Sequence, residues 1–283
     1  MKLLKKIATR NNLKLSNGIY FSNKSKNEYS YPQEGSSLCF NVEDNSYWFK
    51  HRNDCIISVV KTFVNKINVI LDIGGGNGFV TAGLNKSGYS SILVDPSIKG
   101  ILNAKKRGIK DLVCANFQDL NIKSNSIEAV GLFDVIEHIK KDNIFLNKIY
   151  AILKENGILV ITVPAYEALF SKEDEFAGHY RRYSLKSINK ILNRLGFSII
   201  YKTYFFSFLL IPIFFFRYLP SKLNNQTKKA EINYTKQHSI DNYPILNKVM
   251  LLFLKWELFL VKKLIKIPFG SSCLIVAKKI NRE

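Results

Sequence analysis

The sequence contains the stretch Val69-Ile-Leu-Asp-Ile-Gly-Gly-Gly-Asn-Gly78, an apolar run that ends in an acid and then in alternate glycines. Glycines let the backbone turn sharply and approach a ligand closely, and the helix that follows begins with free N–H groups. A dinucleotide site has a similar loop, but Asp72 would repel a pyrophosphate and attract a cationic amino-acid group. The stretch therefore predicts a loop that binds a nucleotide-like, positively charged ligand, with a purely structural turn as the alternative.

Short apolar runs alternate with helical segments on both sides of this loop. Strands that are buried on both faces and separated by helices indicate a parallel sheet with crossover helices. We predict an α/β fold with a doubly wound, mostly parallel seven-stranded sheet. Its strands are Val69–Asp72, Ser91–Asp95, Asp111–Ala115, Ala129–Phe133, Gly157–Val163, Phe197–Phe205 and Cys273–Lys279, and its helices include Ile98–Arg107, Asn143–Leu153 and Leu185–Leu195.

The chain has 283 residues, of which 47% are hydrophobic, enough for one such domain and an appendage. Residues 1–42 are polar and without a sustained period, so we expect a loosely structured N-terminal arm. Residues 43–205 and 270–283 form the predicted main domain. Residues 206–269 are too many for a hairpin, so we expect a helical, basic and apolar insertion between the last two strands.

The glycine loop carries a family resemblance. Asp72, Gly74, Gly76 and Gly78 match the acid-x-Gly-x-Gly-x-Gly motif, by which the chain resembles class I S-adenosylmethionine-dependent methyltransferases. The resemblance implies a Rossmann-like methyltransferase fold, an enzymatic activity, and S-adenosyl-L-methionine as the cofactor. It also implies that this loop holds the methionine part of the cofactor.

Two further stretches extend the predicted cofactor site. Asp95 ends the second strand, where an acid accepts hydrogen bonds from ribose hydroxyls in this family, although a carboxylate at a helix N-terminus would suit the same residue. The stretch Cys114-Ala-Asn-Phe-Gln-Asp-Leu120 is similar to the adenine-binding stretch of the family. Asn116 replaces the usual Asp there, which keeps an acceptor but removes the charge, and Phe117 is expected beside the adenine ring.

The acceptor side is predicted after the fourth strand, in Phe133-Asp-Val-Ile-Glu-His-Ile139, which is similar to the Asp-Val-Leu-Glu-His stretch of one branch of the family. Asp134, Glu137 and His138 have spacings that share a helix face. His138 is interpreted as a general base assisted by a carboxylate. Positioning of the loop is an alternative, and so is divalent metal binding together with a later His, as in some RNA-terminal and quinone-precursor methyltransferases. We assign no metal.

A later stretch supplies the other candidate residues. Residues 163–184 are similar to a segment of a bacterial subgroup associated with cell-surface polysaccharide synthesis, which adds His179 as a catalytic candidate. Arg181 and Arg182 offer donor forks for a phosphate or carboxylate group of the acceptor. Arg52 is expected to face a carboxylate and is also assigned to acceptor binding. Pairing of Arg181 and Arg182 with nearby acids, Glu173 to Glu175, is the alternative.

We therefore predict methyl transfer to an oxygen of a saccharide or lipid-linked acceptor. A metal-assisted RNA or small-molecule methyltransferase is one alternative, although nucleic acid is not the favoured partner. A non-catalytic, cofactor-binding assembly protein at a membrane is another.

The charge balance points to an anionic partner. The chain has 42 Lys and Arg against 22 Asp and Glu, a net charge of +20, although a biased genome composition would give the same excess. Ile245–Lys266 is an amphipathic helix with a lysine stripe formed by Lys248, Lys255, Lys262 and Lys266. This pattern is typical of a helix in a membrane interface and is also that of a helix packed on its own domain.

The expected location is cytoplasmic, peripheral on the inner face of the membrane. No secretion signal opens the sequence, and the four cysteines have neither zinc-site nor disulfide spacing. Residues 205–219 are strongly apolar but too few to cross a bilayer.

Overall fold

The apolar run that begins at Val69 forms the central strand of a nine-stranded sheet. The computed structural model describes residues 2–23, 35–219 and 244–280, and the sheet order within these residues is β1-β2-β5-β4-β3-β6-β7-β9-β8. The strands from β2 to β7 pair in parallel, and β1, β8 and β9 are antiparallel to their neighbours. The strands are β1 (Lys14–Ser16), β2 (Ile19–Phe21), β3 (Val69–Ile73), β4 (Ser90–Asp95), β5 (Leu112–Cys114), β6 (Ile127–Phe133), β7 (Leu153–Pro164), β8 (Phe197–Phe205) and β9 (Ser272–Lys279).

Helices cover both faces of the sheet, which confirms the predicted doubly wound α/β fold. Buried residues of α1, α6 and α8 pack against one face, and those of α3, α4 and α10 pack against the other. The helices are α1 (Lys2–Arg10), α2 (Gly35–Glu43), α3 (Tyr47–Phe63), α4 (Phe79–Lys86), α5 (Ile98–Lys106), α6 (Asp142–Ile152), α7 (Lys172–Phe176), α8 (Leu185–Leu195), α9 (Leu210–Ile213) and α10 (Pro244–Lys262).

The strand order reverses beside β3, whose neighbours are β4 on one side and β6 on the other. Connections leave these strands in opposite directions, which opens a crevice at their carboxyl ends. The glycine loop after β3 and the loops after β4, β5 and β6 all meet at this edge. The topology thus brings the predicted cofactor residues together.

The N-terminal arm differs from the prediction. Residues 2–21 form α1 and the hairpin of β1 and β2, and β2 adds to the sheet in parallel beside β5. Leu4, Ile7 and Ile19 are buried in the process. The expectation of a loosely structured arm was therefore wrong for these residues, and so was the count of seven strands, because strands of three residues are too short to produce a recognisable period.

The segment between β8 and β9 is helical where it is described. It contains α9, a π-helical turn at Phe214–Tyr218 and α10, and residues 220–243 lie outside the described residues. The division into domains at residues 205 and 270 stays a prediction. Helix α10 ends at Lys262, earlier than the predicted Lys266. Among the described residues, no helix combines the length and apolar character required for a membrane span.

Candidate functional site

The glycine loop after β3 has the backbone conformation that its sequence predicts. Gly74, Gly76 and Gly78 all have positive φ values, of 74°, 51° and 74°. A Cβ at Gly74 would lie 2.7 Å from Val135, and one at Gly78 would collide with Ile109. A Cβ at Gly76 would meet nothing within 4 Å, and Gly76 lines a cavity. Gly74 and Gly78 therefore need glycine for packing. At Gly76 the absence of a side chain leaves space free in the cavity.

Asp72 provides a buried carboxylate at the floor of this cavity. Its side chain is fully buried, and Oδ2 accepts a hydrogen bond from the hydroxyl of Thr81. Oδ1 has no hydrogen-bond partner among the described residues. Burial raises the pKa of Asp72 to about 6. A buried carboxylate oxygen without a partner is costly unless a ligand donates to it, so Asp72 fits a cationic amine.

Asp95 holds the loop in place. Its Oδ2 accepts from the backbone N–H of Gly76 at 2.8 Å, and its Oδ1 accepts from that of Ser97 at 2.7 Å. Burial raises the pKa of Asp95 to about 6. Ser97 is the residue that caps the N-terminus of α5. The hydrogen bond from Ser97 therefore agrees with the alternative interpretation of Asp95 as a carboxylate at a helix N-terminus. Each oxygen retains a lone pair for a hydroxyl donor.

The predicted adenine-binding residues lie on the same cavity. Asn116 caps the short helix Phe117–Asp119, with its Oδ1 accepting from the N–H of Gln118 at 3.0 Å. Phe117 is buried and packs edge-to-face on Phe145, with a centroid distance of 5.4 Å. The cap orients the amide group of Asn116 at the cavity wall.

The cavity has a volume of about 870 Å³, within the range of small-molecule sites. It is lined by most of the residues predicted from the sequence, and Gly78 and Arg181 are not among its lining residues. The cofactor-side lining includes Asp72, Gly74, Gly76, Asp95, Asn116 and Phe117, and the acceptor-side lining includes Arg52, Asp134, Glu137, His138, His179 and Arg182.

Arg52 pairs with Asp134 across the cavity wall. The Nε of Arg52 lies 2.6 Å from Oδ2 of Asp134, and Thr162 donates to Oδ1 of Asp134 at 3.0 Å. Arg52 also lies over the ring of Trp48, at 5.6 Å from its centroid. The sequence predicted that Arg52 faces a carboxylate, and that carboxylate is Asp134; acceptor binding by Arg52 stays a prediction. Asp134 has φ of 57°, an uncommon conformation that the ion pair and hydrogen bond hold in place.

The paired arginines are also engaged within the chain. Arg181 lies 3.0 Å from Asp142 and donates to the carbonyl of Lys140, and Arg182 lies 2.9 Å from Asp174. These ion pairs favour the alternative in which the arginines organise their own loop, although the partners are not all those expected from the sequence. An acceptor-binding role for Arg181 and Arg182 stays a prediction.

His179 pairs with the buried carboxylate of Asp174 at the acceptor side. Its Nδ1 lies 2.9 Å from Oδ1 of Asp174, a carboxylate that Arg182 and Ser171 hold in place. A carboxylate on Nδ1 fixes the tautomer with a proton there and leaves Nε2 as an acceptor. This is the arrangement of an oriented base. No sequence pattern singles out Asp174 from its run of three acids, because its pairing with His179 depends on the loop conformation.

Glu137 and His138 lie next to this pair. The rings of His138 and His179 are 4.7 Å apart, and potential ligand atoms of Glu137, His138 and His179 all lie within 4.8 Å of one another. Glu137 is fully buried, and neither of its oxygens has a hydrogen-bond partner among the described residues. Burial, reinforced by Asp134, raises the pKa of Glu137 well above its ordinary value. Desolvation and His179 lower the pKa of His138 to about 3, so His138 is neutral and weakly basic.

One further contact was not predicted. His51, to which the sequence assigned no role, pairs with Glu257 of α10 through Nε2 at 2.8 Å. Glu257 also accepts from the backbone N–H groups of Phe206 and Ser207. Phe206 in turn stacks on Trp48, which lines the cavity. His51 and Glu257 are 206 positions apart in the chain, so no local sequence pattern predicts their contact.

All four cysteines are buried, and none forms a disulfide within the described residues.

Comparison with known proteins gives a consistent result. A family model described as "Methyltransferase domain" matches residues 48–202. Ubiquinone biosynthesis O-methyltransferase of Bradyrhizobium diazoefficiens is 32% identical over 98 residues, covering 33% of this chain and 38% of that protein. The mitochondrial enzyme of that name from Rattus norvegicus is 31% identical over 102 residues, covering 33% and 30%. The chain thus matches about a third of the length of these relatives.

A solved structure shares the fold. Phosphoethanolamine N-methyltransferase 2 of Haemonchus contortus, solved in complex with S-adenosyl-L-methionine, has a TM-score of 0.55 at 19% identity. The similarity covers 89% of this chain and 58% of that one.

Proposed function

The chain belongs to the S-adenosylmethionine-dependent methyltransferases, and we propose that its acceptor is an oxygen of a small molecule, either a saccharide or a lipid-linked compound. S-adenosylmethionine supplies a methyl group on a cationic sulfur. The observation that carries the proposal is the Asp174–His179 pair, which faces the cavity that contains the cofactor residues. The relatives named as O-methyltransferases support transfer to oxygen.

The cofactor residues have distinct roles in this proposal. The unpartnered oxygen of Asp72 accepts from the amine of the methionine part, and the Asp95 carboxylate accepts from ribose hydroxyls. Gly76 leaves room for the cofactor beside the loop. Asn116 and Phe117 form the cavity wall beside the adenine end of the cofactor.

His179 removes the proton of the acceptor hydroxyl. Its Nε2 is the accepting nitrogen because Asp174 holds the proton on Nδ1. Such a transfer is an in-line displacement in which positioning supplies most of the rate, and a base assists as the hydroxyl loses its proton. His138, with its pKa near 3, is a poor base, so it contributes to shaping the site around His179.

The proposal is tested by incubating the protein and methyl-labelled cofactor with lipid and glycan extracts of the host. We expect label in a small-molecule product whose methyl group is bound to oxygen. Label bound only to nitrogen or carbon would contradict the oxygen acceptor. Label appearing only in added RNA would contradict the small-molecule acceptor.

A second candidate mechanism is favoured by the grouping of Glu137, His138 and His179. A carboxylate with two unpartnered oxygens and a neutral imidazole are ordinary ligands for a divalent metal. The same assay distinguishes the two candidates when a chelator is added. We expect labelling to persist with a chelator if His179 is a base. Loss of labelling that manganese or magnesium restores would support the metal-assisted alternative.

Cofactor affinity should depend on pH. Burial raises the pKa of Asp72 and of Asp95 to about 6, so both are mostly protonated at lower pH, and protonated Asp72 cannot attract an ammonium group. Affinity is therefore expected to rise about tenfold per pH unit for each carboxyl as pH approaches 6 from below, and to level off above it. Calorimetric titration between about pH 5 and about pH 8 measures this.

The matched variant is Asp72→Asn, which keeps the shape and removes the titration. It should bind the cofactor more weakly at neutral pH and retain only the pH dependence due to Asp95. A flat profile in the unsubstituted protein would contradict the assignment of both carboxylates to the cofactor.

A further inference from the structure

Helix α10 has two unequal faces. Its buried stripe consists of Met250, Leu254, Glu257 and Val261, which face the main domain. From residue 249 onward, where side chains are described, most of its other apolar residues are exposed, and we call four of them the α10 surface: Leu252 (68% exposed), Phe253 (52%), Trp256 (56%) and Phe259 (53%). Large exposed apolar patches on folded proteins mark sites that contact another protein or a membrane.

The α10 surface has a fixed orientation. Glu257 accepts from the hydroxyl of Ser207 at 2.6 Å, in addition to the backbone N–H groups of Phe206 and Ser207 and the ring of His51. A buried carboxylate with these partners holds α10 against α3 and the end of β8. The helix is therefore held in one rotation about its axis, with the side chains of Trp256 and Phe259 more than half exposed.

The same surface is continuous with the wall of the cavity. Phe253 of α10 stacks with Phe208, at a centroid distance of 6.3 Å. Leu209, the next residue in the chain, lines the cavity, and Ile211 and Phe215 just beyond it are exposed. An apolar path thus runs from the α10 surface to the cavity.

Charge indicates which partner covers this surface. Lys255 and Lys262 of α10 are exposed one heptad apart, and Lys263 and Lys266 follow them. Protein interfaces are depleted in lysine at their cores, whereas helices that lie in a membrane interface combine aromatic residues with a lysine-rich polar face. Lysines near an anionic bilayer each strengthen binding severalfold.

We propose that the α10 surface docks on an anionic lipid bilayer, with Lys255 and Lys262 at the headgroups, and that an amphiphilic acceptor enters the cavity from this bilayer past Leu209. The entry of the acceptor rests on the proposed function, whereas docking does not. The two are therefore tested by separate measurements.

Docking is measured by co-sedimentation with phosphatidylcholine vesicles, with and without phosphatidylglycerol. We expect binding to the anionic vesicles that weakens with salt, and little binding to the neutral ones. The Lys255→Glu/Lys262→Glu variant should bind anionic vesicles at least about tenfold more weakly. The Trp256→Ser/Phe259→Ser variant should lose binding because it removes the apolar contact.

The matched control is Lys186→Glu/Lys190→Glu on α8, which reverses two exposed charges away from α10. It should bind like the unsubstituted protein. Equal losses in the control and test variants would overturn the proposal, as would absence of binding to anionic vesicles at low salt. The proposal would also be overturned if the unsubstituted protein is a dimer and the Trp256→Ser/Phe259→Ser variant is a monomer, because a second copy would then cover the α10 surface.

Cofactor calorimetry on each variant establishes that the fold is retained, since the substituted residues are exposed. Failure of the proposed function has a different signature. The protein would then bind anionic vesicles and cofactor but transfer no label to oxygen in any lipid or glycan extract.

Discussion

Replacing Gly76 with valine will lower the affinity for S-adenosylmethionine by at least about a hundredfold. Gly76 has φ of 51°, which costs a residue with a Cβ roughly 1–2 kcal/mol and a β-branched residue more. The new side chain also projects into the open space beside the cavity loop, where the cofactor is expected. Backbone strain and occlusion of the cofactor site thus act at one position. Isothermal titration calorimetry measures the resulting loss of cofactor affinity.

Gly108→Val separates the two effects. Gly108 also has positive φ, of 84°, and a Cβ there would likewise meet nothing within 4 Å, but it does not line the cavity. Both variants should unfold at lower temperature than the unsubstituted protein, and only Gly76→Val should lose the cofactor. Comparable affinities in the two variants would show that the loop at Gly76 does not contact the cofactor.

Replacing His179 with alanine will slow methyl transfer by about 10² to 10⁴, the usual contribution of a general base. Cofactor affinity should change little, since His179 lies on the acceptor side with Asp174. Transfer of label to the host extract gives the rate. Added imidazole should restore part of it by occupying the vacated space and accepting the proton.

His138→Ala distinguishes a base from a metal site. With His179 as the base, this variant should lose less activity than His179→Ala, because the lowered pKa of His138 makes it a weak base. Under the metal alternative both histidines are ligands, so the two variants should lose activity equally. Added imidazole should then have the same effect on the activity of both variants.

The sequence was sufficient for features that depend on local pattern. The apolar runs identified all strands from β3 to β9, and the spacing of Asp72 and the glycines identified the loop. These features are readable because burial on two faces and backbone conformation restrict the residue types at successive positions. Strands β1 and β2 were not predicted, because three residues are too few to show an alternating pattern.

The partners of the charged residues were much harder to predict. Arg52 was expected to face a carboxylate, but the sequence did not identify that carboxylate as Asp134, more than 80 positions away in the chain. Asp174 was one of three consecutive acids, and only the turn of the loop selects it for His179. Such pairs depend on tertiary geometry, and several donors or acceptors in each segment could have made them equally well.

The anchoring of Glu257 has a consequence for how the molecule unfolds. Its hydrogen-bond donors are His51 of α3 and the backbone N–H groups of Phe206 and Ser207, which directly follow β8. Detaching α10 would leave these donors without their acceptor and would expose the apolar residues buried beneath the helix. Either event is costly before any other part of the sheet has opened. Helix α10 and the sheet should therefore melt in a single cooperative transition, as parts of one folding unit.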